Sequence, residues 1–138
     1  MKRLLIDASS LMLLMKTAEI QIVLDYLLTS SILDLTFYEV GNAIWKETCL
    51  TKFLSKEESK VLQNRIQTVL SKTDRIPQEA SNFQKVLDIS DSENLPFYDA
   101  SYLFIAKIKG LALVTEDKEL KAKAKKHIEV QNVATLLS

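Results

Sequence analysis

The chain has 138 residues, 47% of them hydrophobic and 26% charged, proportions that suit one globular domain with a single core. Two glycines and two prolines are too few for a turn-rich β-sandwich or barrel, which leaves long helices with short connections. Eighteen basic residues balance eighteen acidic ones, which argues against a long non-specific nucleic-acid track and leaves room for a small catalytic site.

Leu4-Leu5-Ile6 reads as a buried strand, and Asp7 follows it at once. Ser9 or Ser10 is expected to cap a short helix ending near Met15. From Glu19 to Leu28 a helical stripe gathers Ile20, Val23, Leu24, Leu27 and Leu28. Ile32-Leu33-Asp34-Leu35 is a second strand, and a helix from about Phe37 to Cys49 carries Glu39 in its first turn. Ser55 and Glu58 have the form of a capping box, opening a helix to about Lys72 with a seam of Val61, Leu62, Ile66, Val69 and Leu70. Pro77 fits the first turn of a helix carrying Phe83, Val86 and Leu87. Pro96 opens another from Phe97 to Lys109, with Asp99 in its first turn and Gly110 as its left-handed stop.

Leu111 to Val114 is a third strand, leading into Thr115, Glu116 and Asp117. Lys118 to Lys126 forms a last full helix, Ile128 to Val130 a short strand, and Val133 to Leu137 a short helix. Uniformly apolar strands separated by helices predict an α/β sandwich, with a central parallel sheet of about four to five strands covered on both faces. Repeats, low-complexity stretches and linkers are absent from the sequence, so residues 1–138 read as one domain.

Three apolar strands thus deliver acids at their carboxyl ends, where open parallel sheets bind ligands. Asp7, Glu39 and Asp117 are these acids, and Asp99 joins them if its helix starts at the same edge. Two carboxylates ~4 Å apart repel by about 4 kcal/mol at an effective dielectric of roughly 20, so such a cluster calls for a cation or shared protons. Hard oxygen donors without His or Cys suit Mg²⁺ or Mn²⁺, ions that clamp phosphodiesters and activate water. Read from spacing alone, the same acids also fit helix caps and surface charges.

Four segments carry a resemblance. Leu5-Ile6-Asp7-Ala8-Ser9-Ser10 is similar to the opening strand of PIN-domain nucleases, and Tyr38-Glu39-Val40-Gly41-Asn42-Ala43-Ile44 to their acidic helix. Pro96-Phe97-Tyr98-Asp99-Ala100-Ser101-Tyr102 resembles the third acidic motif, and Leu113-Val114-Thr115-Glu116-Asp117-Lys118-Glu119-Leu120 the strand-ending Thr-x-Asp pattern. Length and motifs look most like the toxin ribonucleases of VapBC-type toxin–antitoxin pairs. The resemblance implies an endoribonuclease in which Asp7, Glu39, Asp99 and Asp117 hold Mg²⁺ or Mn²⁺, with Glu116 as a further candidate ligand. Ser9 and Thr115 would hydrogen-bond the acids or the attacking water, and Asn42 would orient the cluster. Cleavage would leave 5′-phosphate and 3′-hydroxyl ends. It further implies a homodimer and a cognate antitoxin that silences the site.

Other features have plainer readings. Cys49 alone cannot form an internal disulfide, which fits a reducing, cytoplasmic setting, and it is expected in the core with Tyr38 and Trp45. No signal segment is visible and no apolar run reaches the ~20 residues that span a bilayer, so no membrane partner is expected. Gly41 inside a helical pattern suggests close packing or a bend. Lys118, Lys121 and Lys125 share a helix face that is either solvated or turned to RNA, and His127 reads as a surface or cap residue. A phosphate-accepting receiver domain would want a Lys after the fourth strand, where Gln131 and Asn132 stand. A ribosomal-RNA-processing nuclease and a catalytically silent PIN-like binding module remain the alternatives.

Overall fold

The computed structural model describes residues 3–138. Its strands are β1 (Leu4–Ile6), β2 (Ser30–Leu33), β3 (Asp74–Ile76), β4 (Ala112–Val114) and β5 (Val130–Gln131). They form one sheet in the order β3-β2-β1-β4-β5, with every neighbouring pair parallel. The helices are α1 (Ala8–Thr17), α2 (Ile20–Leu27), α3 (Asp34–Trp45), α4 (Lys56–Lys72), α5 (Phe83–Glu93), α6 (Phe97–Lys109), α7 (Lys118–Ala124) and α8 (Val133–Leu137).

Side chains alternate across the sheet and build two cores. Leu4, Ile6, Ile32, Ala112 and Val114 pack against α1, α2 and α4. Leu5, Leu33, Ile76 and Leu113 face the other way, against α5, α6 and α7. Both faces are therefore covered, which is the expected α/β/α sandwich. Among the described residues no helix is long and apolar enough to cross a membrane.

Several expectations shift. Asp7, rather than Ser9 or Ser10, is the N-cap of α1, accepting the Ser10 N–H at 2.9 Å. The second strand begins at Ser30 and ends at Leu33, and Asp34 and Leu35 already belong to α3. Its two buried serines find protein acceptors: Ser30 donates to the Tyr26 carbonyl at 2.6 Å and Ser31 to Asp74 at 3.0 Å. That pairing also explains β3, whose Asp74-Arg75-Ile76 sequence carries no apolar run. It is an edge strand, where charges are tolerated. Pro77 precedes its helix by several residues, since a 3₁₀ turn at Ala80–Asn82 comes before α5. The helix expected to run unbroken to Cys49 changes into a π-helical turn at Lys46–Leu50. Cys49, Tyr38 and Trp45, expected in the core, are exposed, because Val40 on the opposite face of α3 is the residue that packs inward.

The Ser55–Glu58 capping box holds as expected, with bonds of 3.0 and 3.1 Å. So does Gly110, which ends α6 at φ +65. A Cβ at Gly41 meets nothing within 4 Å, so neither close packing nor φ requires glycine there. Gly41→Ala should therefore raise stability by about 1 kcal/mol. Gly110→Ala should lower it by about 1–2 kcal/mol, because L-residues are strained in the left-handed region. Paired denaturant melts would show the opposite signs.

Candidate active site

The carboxyl ends of β1, β2 and β4 lie side by side, so whatever follows them shares one edge of the sheet. Asp7 follows β1 directly, Glu39 lies in the second turn of α3 after β2, and Asp117 comes three residues beyond β4. Asp99 stands in the first turn of α6, whose helix dipole favours an anion there.

Asp7 is 6% exposed and held from several sides. Ser9 Oγ donates to its Oδ1 at 2.8 Å, and the Ser10 N–H donates to the same oxygen. Ser9 Oγ also accepts the Glu116 N–H at 3.3 Å, tying the α1 start to the loop after β4. Thr115, fully buried, accepts the Asp117 N–H at 3.1 Å. Burial pushes the Asp7 carboxyl up, more than Thr115, the Ser10 N–H and Ser9 bring it down. Glu39 is raised chiefly by burial and also by Asp7, while the Tyr102 hydroxyl, donating at 2.7 Å, favours its ionised form.

Asp99 reports on the whole cluster. Burial, then the charges of Asp117, Asp7, Glu39 and Glu119, push its carboxyl from 3.8 up to about 6. Acids from four elements thus act on one another electrostatically. Glu116 is absent from those influences and its Oε2 accepts the Val133 N–H at 2.8 Å, so it serves the start of α8. Between the two neighbours, the charge bearing on Asp99 is that of Asp117.

Asp117 also has a structural task, capping α7 by accepting the Glu119 and Leu120 N–H groups at 2.9 and 3.0 Å. Asp117→Ala and Asp117→Asn remove the same charge, but only Asn keeps an acceptor. Thermal melts should place the Ala variant below the Asn variant by about 1 kcal/mol, the worth of an N-cap.

Every donor in the cluster is a hard oxygen, the chemistry that suits Mg²⁺ or Mn²⁺. Among the described residues no three acidic, His or Cys side chains stand ready-made to enclose one ion. Glu39 is turned to Tyr102, and Asp117 to its helix. Asn42 is exposed, and among the described residues no hydrogen bond joins it to the acids. His127 bonds Glu93 at 2.8 Å, and Lys123 pairs with Glu119 at 2.7 Å, so neither pairs with any of the four acids.

Sequence reasoning missed the part played by Thr36 and Tyr102. Thr36 precedes Glu39 by three residues and Tyr102 follows Asp99 by three, the spacing that puts side chains on one helix face. That spacing was the available signal.

No family model matches the sequence. Exonuclease VapC9 of Pyrobaculum aerophilum is 38% identical over 108 residues, 78% of this chain and 77% of that protein. The crystal structure of PAE2754 from Pyrobaculum aerophilum superposes with a TM-score of 0.80 at 34% identity, covering 99% of this chain and 93% of that one. FitAcB from Neisseria gonorrhoeae shares the fold, with a TM-score of 0.63 at 17% identity over 94% of this chain and 96% of that one. Identity at the level of VapC9, across most of both sequences, makes this chain a member of the VapC family of PIN-domain proteins.

Proposed function

We propose that this chain is a divalent-cation-dependent ribonuclease that acts as the toxin of a toxin–antitoxin pair. The reading is supported by acids that follow β1, β2 and β4 at one edge of the sheet, with burial and their charges raising Asp99 to about 6. Carboxylates gathered against their own repulsion are stabilised by a cation, and that repulsion is otherwise a cost without a return.

Asp7, Glu39, Asp99 and Asp117 would hold Mg²⁺ or Mn²⁺, which supplies Lewis acidity, a lowered water pKa and neutralisation of phosphate charge. The chain's own groups do the rest. Ser9 and the Ser10 N–H fix Asp7 Oδ1. Asp99, raised to about 6 by burial and its acidic neighbours, would be held ionised once a cation is bound. A groove lined by Ser9, Met12, Lys16, Glu39, Glu47 and Glu116 lies beside the cluster, and Lys16, paired there with Glu47 at 2.6 Å, would exchange that partner for RNA phosphate.

The family relative is named an exonuclease, whereas the sequence motifs suggest internal cleavage. Linear and circularised RNA of one sequence, incubated with protein and Mn²⁺, separates the two. Cutting of both supports an endonuclease, and cutting of the linear form alone an exonuclease. Intact RNA in every cation-containing reaction, against tRNA, ribosomal and messenger RNA, would leave only a binding module.

Apolar area supports the proposed partners. Phe37, Tyr38, Trp45 and Tyr98 are exposed, which suits a homodimer. A groove between α1 and α4, lined by Met15, Leu54, Val61 and Leu62, would take an apolar antitoxin helix.

A further inference from the structure

We infer that Tyr102 and Thr36 are positioning residues whose buried hydroxyl relay holds Glu39 for the divalent cation and sets how tightly that cation binds. The inference rests on the metal-dependent reading above.

Tyr102 is 1% exposed and Thr36 0%, so neither hydroxyl is satisfied by bulk solvent and each needs protein partners. The Leu33 N–H, at the end of β2, donates to Thr36 Oγ1 at 3.2 Å. An amide can only donate, so the single Thr36 hydrogen is left for Tyr102 Oη, 2.6 Å away. Tyr102 in turn donates to Glu39 Oε1 at 2.7 Å. An ionised carboxylate only accepts, so the direction of all three bonds is fixed from both ends.

The relay also spans two helices. Thr36 and Glu39 lie a turn apart on α3, and Asp99 and Tyr102 a turn apart on α6. The phenol that holds Glu39 is therefore carried by the helix that delivers Asp99. One buried contact registers two acids from different parts of the chain. Core packing alone does not account for this, because the Tyr102 ring sits in an apolar cluster that a phenylalanine would fill as well. The hydroxyl is what packing leaves unexplained, and its partners lead to Glu39.

Hydrogen-bonded groups behind a ligand commonly change metal affinity by about 10–100-fold when removed. Calorimetric titration of the full chain with Mn²⁺ tests this without reference to RNA cleavage. Tyr102→Phe, which keeps the ring, should weaken Mn²⁺ binding by about 10–100-fold. Thr36→Val should weaken it likewise, and Thr36→Ser, which restores the hydroxyl, should bind close to wild type. If Tyr102→Phe does not fold, the Thr36 pair still decides. Wild-type Mn²⁺ affinity in both Tyr102→Phe and Thr36→Val, whatever their melting temperatures, would overturn the inference and leave the metal-dependent reading standing. A wild-type chain that binds no Mn²⁺ would overturn both.

Discussion

Replacing Asp7 by Asn is expected to abolish ribonuclease activity while leaving the chain folded. Asp7 is the most buried of the four acids and the one that α1, β4's loop and the sheet edge all converge on. Loss of a group behind a ligand costs about 10–100-fold, so loss of a ligand's charge should cost about a hundredfold or more. The fold should survive because Asn is as good an N-cap as Asp, and its side-chain oxygen can still accept the Ser10 N–H. Removing a buried like charge also relieves Asp99 and Glu39. The expected pattern is thus inactivity with an unchanged or raised melting temperature. Activity near wild type would remove Asp7 from the chemistry, and a collapsed fold would reduce it to a cap.

The second large effect is on stability against pH. Asp99 titrates at about 6 in the folded chain against 3.8 ordinarily, so the folded state holds its proton more tightly than the unfolded state does. Between those values the folded state carries more protons, and stability falls as pH rises through the window. Asp7 and Glu39 are raised as well and act with the same sign. Asp99→Asn should accordingly melt above wild type at pH values beyond about 6, with the difference shrinking toward pH 3.8. A cation that prefers the ionised cluster should reverse the trend. At a hundredfold excess over its dissociation constant it stabilises by about 2.7 kcal/mol, and the gain should be largest where the acids are ionised. Melting curves with Mn²⁺ and with EDTA across this range would check both signs. A cation effect independent of pH would speak against a carboxylate site.

Much of this was legible in the sequence because apolar runs and charge breaks coincide. Leu4-Leu5-Ile6 and the Leu111 to Val114 run are buried on both faces, so no polar residue interrupts them, and the acids after them stand out. Helix signals such as Ser55 with Glu58 and Gly110 are local chemistry, and they held. What failed depended on distant partners. Ser30 and Ser31 lie outside the expected strand, whose bounds change once Tyr26 and Asp74 satisfy them, and no strand was expected at Asp74 to Ile76, which only pairing with β2 creates. Trp45 and Tyr38 look like core on a helix whose inward face is in fact set by Val40. At the site, the acids and the hydroxyls of Ser9 and Thr115 stood within the sequence motifs, but the hydroxyls behind Glu39 gave no such sign. Thr36 and Tyr102 are 66 residues apart, and only the meeting of α3 and α6 joins them.

The proposal turns on a divalent-ion site among oxygens drawn from four separate elements. Crystals grown with Mn²⁺ and measured near its absorption edge test it most directly. The account predicts an anomalous peak bounded by the carboxylates of Asp7, Glu39, Asp99 and Asp117. A saturated crystal with no peak there, or with Mn²⁺ bound only at other acids, would contradict it.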